Sequence, residues 1–255
     1  MPQPIPLLIL SNNVTPIRAL RALQLAWTLC FMPLAAPCAT PGWPDTTELR
    51  YDGRGLEGSF FRYSGTGVLR WQHTDTRYQA SLEISALGLH IRTLSSTGLL
   101  DTHMLLPERF DDTPRGAAWS TRFLRDQGQI TFSSGSAPEP LQSGAQDKLS
   151  ALLQLGAVLA ADPARGSIGN TVHFQAADAH RADNWVFRVD GNETLELGQG
   201  RVTAIKLTRE PTPENGQKIE AWLASEVGYL PVRLRITESD GSFIDLLWRK
   251  TQKSG

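Results

Sequence analysis

Gly53-Arg54-Gly55-Leu56-Glu57-Gly58 has the G-x-G-x-x-G spacing that lets a backbone approach a pyrophosphate, a chemistry that needs a helix N-terminus directly afterwards. The next residues, Ser59-Phe60-Phe61-Arg62-Tyr63-Ser64-Gly65, are aromatic and strand-prone, so these glycines predict a hairpin and no nucleotide site. The five histidines show neither H-E-x-x-H nor H-x-H spacing and have no cysteine beside them, so no metal centre is expected. The G-x-S-x-G elbow that would raise a serine nucleophile is absent. Asp111 and Asp112 are adjacent, which points successive carboxylates to opposite sides of a strand, and Asn192-Glu193-Thr194 reads as a turn. The sequence therefore predicts no catalytic residues, no metal, no cofactor and a non-enzymatic protein. Trp71, Trp119, Trp185, Trp222 and Trp248 all fall in predicted strands, where they form either a stacking platform or, as favoured here, core and sheet edges.

The elements around these residues are mostly strands. In Arg77–Ile84, Tyr78, Ala80, Leu82 and Ile84 share one face, while Arg77, Gln79, Ser81 and Glu83 share the other. The same period runs through Trp185–Val189 and Val232–Ile236, and further strands are predicted at Glu48–Asp52, Phe60–Arg62, Gly67–His73, Leu89–Leu94, Trp119–Arg125 and Gln129–Ser133. After the middle of the chain come Thr171–Gln175, Glu193–Leu197, Arg201–Thr208, Lys218–Leu223 and Phe243–Arg249. Asp126-Gln127-Gly128, Asp190-Gly191-Asn192 and Asp240-Gly241 carry turn signals, so antiparallel hairpins should join neighbours.

One segment departs from this pattern. Ala145–Ala161 sets Leu149, Leu152, Leu153, Gly156, Leu159 and Ala160 at helical spacing; Ser143 with Gln146 supplies a capping box, Asp147 suits the positive helix end, and Asp162-Pro163 stops it. With Leu155 and Val158 the apolar face becomes wider than one flat sheet covers. The fold class predicted is mainly β, a curved antiparallel sheet (half-barrel) wrapped around one principal helix, against an orthogonal sandwich with a helical cap. Leu149, Leu152 and Leu153 are the candidate ligand-binding residues.

Residues 1–39 carry Arg18 and Arg21 as their only charges, followed by the apolar run Ala22–Ala36 and small residues, the order of a secretory signal. The run is shorter than the roughly 20 residues of a membrane span and contains Pro33. We expect cleavage after Ala39, with Ala36 as the alternative site, leaving a single β-rich domain over 40–255 without a disulfide and located in the periplasm. Pro37 argues against lipidation of Cys38. The net charge of −1 gives no basis for a nucleic-acid partner.

Gly144-Ala145-Gln146-Asp147-Lys148-Leu149-Ser150, together with Glu220-Ala221-Trp222-Leu223 and Tyr229-Leu230-Pro231-Val232-Arg233-Leu234, resembles an uncharacterised bacterial envelope family, domain of unknown function 3108, from about Glu48 to Trp248. That resemblance implies no known activity. The Trp-Leu strand followed by Leu-Pro-Val-Arg is also similar to the ending of outer-membrane lipoprotein-localisation carriers, whose fold is a curved sheet over several helices. Asp147 and Arg233 are the charged residues within these stretches, and a pairing of one with the other or with nearby backbone would offset the cost of their burial. The leading functional reading is a binding or chaperone-like protein for an apolar ligand or a hydrophobic partner segment. An envelope scaffold working through a strand edge is second, and an envelope-polymer hydrolase third.

Overall fold

The computed structural model describes residues 42–253 except Ser59 and Glu214; the predicted leader and both cysteines lie outside the described residues. The alternating segments form β1 (Thr47–Glu57), β2 (Phe61–His73), β3 (Arg77–Ala86), β4 (Leu89–Leu100), β5 (Leu105–Pro114), β6 (Trp119–Leu124), β7 (Gln129–Phe132) and β8 (Glu139–Pro140). After β9 (Gln146–Asp147) comes helix α1 (Lys148–Ala161), and then β10 (Thr171–Ala177), β11 (Ala182–Leu197), β12 (Gly200–Arg209), β13 (Lys218–Ala224), β14 (Leu230–Thr237) and β15 (Phe243–Lys253).

These strands make one 15-stranded sheet in the order β8-β7-β6-β5-β4-β3-β2-β1-β15-β14-β13-β12-β11-β10-β9. Neighbours in sequence pair as antiparallel hairpins, except that β8 and β9 form the two opposite edges and the short β9 runs parallel to β10; β1 also pairs with β15. The sheet curves around α1 without closing into a barrel. Its edges are tied by side chains: the Gln142 N–H donates to Gln175 Oε1 at 2.8 Å, and Gln175 Nε2 donates to the Pro140 carbonyl at 2.8 Å. Thr121 Oγ1 donates to the Asp178 carbonyl at 2.7 Å, and the Ala182 N–H donates to Glu139 Oε1 at 3.0 Å.

The helix begins three residues later than its periodicity predicts. Gln146 and Asp147 are extended beside Ala176 and Ala177, so the cap is Asp147: its Oδ1 accepts from the Leu149 and Ser150 N–H groups at 2.8 Å, and Ser150 Oγ accepts from the Asp147 N–H at 2.8 Å. This replaces the capping box expected from Ser143 and Gln146. Leu149, Leu152, Leu153, Leu155 and Leu159 are all buried, and so are Ser150 and Gln154 on the side the sequence leaves polar. Gln154 is satisfied by β5, with Oε1 accepting from the Leu105 N–H at 2.7 Å. Gly156 has a steric cause, because a Cβ there would come within 2.6 Å of the Tyr229 carbonyl oxygen at the entry to β14.

Two further sequence expectations change. Asp190-Gly191-Asn192 is a bulge inside the single strand β11, with Gly191 at φ 122°, and not a hairpin turn. Strand β5 has no counterpart among the predicted strands, since its inward face carries a charged residue, Asp112, beside Phe110 and Leu105.

Candidate functional site

The strands cross the trough from a filled end to an open one. At the filled end Trp71 stacks on Tyr78 with ring centroids 5.9 Å apart and meets Trp43 in a tilted contact at 5.7 Å, and Trp71 Nε1 donates to the Pro44 carbonyl at 2.8 Å. The gap left there is about 10 Å³. At the other end the same sheet encloses a cavity of about 270 Å³. Leu82 and Ile84 of β3, Leu234 and Ile236 of β14, Leu152 of α1 and Trp185 of β11 are among its lining residues. The volume lies just under the roughly 300–1,000 Å³ usual for small-molecule sites.

Polar groups gather at the mouth, and most have partners in the protein. Arg92 makes a two-point contact with the buried Asp112, Nε to Oδ1 at 2.7 Å and Nη2 to Oδ2, and that hydrogen-bonded carboxylate raises the guanidinium pKa. Gln217 Nε2 donates to Glu238 Oε1 at 2.7 Å, Ser242 Oγ accepts from the Gly58 N–H at 3.0 Å, and Lys148 Nζ lies 3.6 Å from Asp178. Glu57 also lines the site, and its charge raises the Tyr63 phenol after burial does, while the rest of the lining is mostly apolar. Inside, the Trp185 indole N–H has no hydrogen-bond partner among the described residues, a costly state for a buried donor.

Of the expected lining residues, Leu152 borders this cavity; Leu149 and Leu153 do not. Together with Leu152 those two flank a separate gap of about 10 Å³ against Tyr51, Leu69 and Leu246, large enough for no more than about one water. The cause is the helix rotation: Leu153 points toward the tryptophan-filled end, where it meets Trp43 and Trp71 across the other narrow gap.

Asp147 and Arg233 do not meet. Asp147 is fully buried, caps α1 and accepts from Ser96 Oγ at 2.6 Å; burial pushes its carboxyl up to about 6 despite those hydrogen bonds. Ser96 in turn bonds the hydroxyl of Tyr78 at 2.8 Å, and burial raises that phenol. Arg233 instead holds Asp245 of β15 through two bonds of 2.9 Å and lies 4.3 Å over the Trp222 ring. Lys206 covers the same ring at 4.9 Å, and Trp222 Nε1 donates to Glu193 at 2.6 Å. The second familiar stretch thus builds a cation-covered ladder across β12–β15, away from the cavity lining. Trp71, Trp185, Trp222 and Trp248 are buried and share no exposed face.

The glycine motif is the tip-bearing hairpin β1–β2. Gly58 turns the chain at φ 58°, and Gly55 lies beneath the Tyr63 ring, which would have to move to admit a Cβ there. Among the described residues no group of three or more His, Cys, Asp or Glu is placed to hold a metal. On the far side of α1, a wider, more polar groove of about 580 Å³ runs along β10, bordered by Gln142, Gln154, His173 and Asn184.

A curved open sheet over one buried helix, with an apolar cavity at one end, defines a β-barrel-like class of fold. Within it the chain belongs to the family described as protein of unknown function (DUF3108), whose model matches residues 48–247. No curated protein matches. Among solved structures, a beta-barrel-like protein of domain of unknown function DUF1849 from Brucella abortus superposes with a TM-score of 0.56 at 10% identity, covering 84% of this chain and 100% of that one. MucB (TM-score 0.30, 11% identity, 85% of this chain and 57% of that one) and a DUF1329 family protein from Desulfovibrio piger (0.27, 9%, 83% and 86%) are more distant.

Proposed function

We propose that this is a non-enzymatic periplasmic protein, exported by its leader, whose half-barrel reversibly holds an apolar ligand such as an acyl chain. The cavity of about 270 Å³ between α1 and the strands carries this reading. Covering about 200 Å² of apolar surface gains roughly 5 kcal/mol before binding costs, which fits a reversible carrier better than tight storage. Most of the cavity lining is apolar, which favours holding an apolar ligand.

The test is titration with a fluorescent fatty acid. Saturable binding is expected, and it should be lost in Leu152→Trp, which fills the cavity, and in Leu152→Glu, each checked for folding by circular dichroism. Absence of saturable binding to the folded parent chain would overturn the reading.

A second reading, a scaffold that pairs with a partner strand, draws on β10. Between Thr171 and Gln175 it has β11 on one side, and β9 reaches only Ala176 and Ala177 on the other. Leu152→Trp would leave that activity intact, which separates the two readings.

A further inference from the structure

One buried cation is left unexplained by an apolar cavity. Arg209 ends β12 and is 2% exposed, and its Nη1 donates to the Gln217 carbonyl at 2.6 Å. Its Nε and Nη2 have no hydrogen-bond partner among the described residues. These two nitrogens form one edge of the guanidinium fork, with the spacing of the two oxygens of a carboxylate. Donors left buried and unpaired are costly, and desolvation lowers the pKa of this guanidinium from the ordinary arginine value.

The guanidinium lies against the cavity wall. It is 4.9 Å over the Trp185 ring, Ile219 of β13 stands opposite Arg209 in the ladder, and Trp185, Gln217 and Ile219 all line the cavity. Trp185 Nε1 is a further donor without a partner, so three orphaned N–H groups gather on two side chains in contact. The other cations around the cavity already face acids: Arg92 holds Asp112, Lys148 Nζ lies 3.6 Å from Asp178, and Arg181 Nε lies 3.1 Å from Asp183. Asp183 is the acid whose charge acts on Arg209, with the Arg181 charge opposing it, and Asp183 also accepts from Asn215 Nδ2 at 3.2 Å. Glu57 and Glu238 line the cavity and work against an anion, but both are exposed and screened by solvent, whereas Arg209 and Trp185 are buried.

We propose that Arg209 and Trp185 select the ligand's polar end: the cavity takes an acyl chain that ends in a carboxylate, whose oxygens meet the Nε–Nη2 edge of Arg209 and the Trp185 N–H while the chain lies along Leu152, Leu234 and Ile236. The three nitrogens are closed to solvent, so the carboxylate reaches them through a side-chain shift of Trp185 or Gln217, the two lining residues that touch the guanidinium. A neutral alcohol of the same length offers one oxygen and no charge, and gains less from the same edge. The proposal rests on the apolar-ligand reading for its chain, and the neutral alcohol tests that reading separately.

Calorimetric titration of the protein with decanoate, decanol and decyl phosphate separates chain from head. Decanoate is expected to bind at least about tenfold more tightly than decanol, as charge-assisted hydrogen bonds made out of water imply. Arg209→Met keeps the length of the side chain and removes the edge, so it should abolish that preference with decanol affinity unchanged. Because it also removes an unpaired buried cation, it should be at least as stable as the parent in urea melts. Trp185→Phe keeps a ring under the guanidinium and deletes one donor, and should reduce the preference about threefold or more. Equal affinity for decanoate and decanol, or a preference that survives Arg209→Met, would overturn the carboxylate site while the apolar-ligand reading stands. A preference for decyl phosphate lost in Arg209→Met would assign the edge to a phosphate head and overturn the carboxylate equally. Unfolding of Arg209→Met would make the arginine a structural residue and overturn its role in binding. Failure of all three ligands to bind would instead overturn the apolar-ligand reading, and this site with it.

Discussion

The two ends of the trough are built by the same strands and come out differently. On β2 and β3 the inward positions at one end are Trp71 and Tyr78, flat rings that stack and leave about 10 Å³. On the same β3 the inward positions at the other end are Leu82 and Ile84, which line a cavity of about 270 Å³ together with Leu234 and Ile236. Alternation is uniform along the strand, so side-chain size, and not secondary structure, decides which end is core and which is site. The filled end also has a lid of its own chain: Trp43 Nε1 donates to the Asp101 carbonyl at 3.0 Å, which fixes the leading residues over Trp71.

The contrast can be broken most severely at the filled end. Trp71→Ala should cost about 3–5 kcal/mol in urea melts, because a large, fully buried ring is removed where nothing can relax into its place. A sharper comparison uses adjacent helix positions. Leu153→Ala should lose about 2–5 kcal/mol, while Leu152→Ala should fall at or below the low end of that range, since Leu152 already borders empty space and forfeits fewer contacts. Equal losses would mean that the open end is packed in solution.

A smaller and separable effect comes from Asp147, between the two ends. Its carboxyl titrates near pH 4 when unfolded and at about 6 when folded, so the native state holds its proton more tightly. The corresponding stability is fully present below about pH 4 and is lost as pH rises through 6, up to about 3 kcal/mol for this buried group. Asp147→Asn keeps an N-cap without a charge and should flatten that part of the pH–stability curve.

Much of the architecture was legible because burial is one-sided and alternation shows it directly, as in Arg77–Ile84, which became β3. The helix was legible from its leucine spacing, and its width correctly called for a curved sheet. Its first turn was not legible: Ser143 and Gln146 match a capping box in spacing, but Gln146 is drawn into an extended bridge to β10 and its amide holds the Leu105 carbonyl at 2.8 Å, a long-range contact no local pattern records. Strand β5 was hidden for a similar reason, because an inward Asp112 reads as polar until Arg92 is known to lie on the next strand. For the site, Leu152 was recoverable from the helix face, but assigning Leu149 and Leu153 elsewhere required the helix's rotation against the sheet. Apart from Leu152 and Trp185, the walls come from residues scattered over hairpin strands far apart in sequence, and only tertiary structure gathers them.

The chain enters the sheet in its middle and leaves it in its middle: Thr47 of β1 stands opposite Lys253 of β15, while residues 141–145 span the two open edges. Every other strand of more than two residues can find a neighbour in the hairpin next to it, but β1 and β14 each lack one partner until β15 is made. The last strand is therefore a keystone. Before it arrives, the nascent chain has two separate meanders, quick to form from local pairings, with no ladder to join them. Synthesis from the first residue onward thus postpones the joining of the half-barrel to its last strand, whose 11 residues take about a second to make at typical speeds.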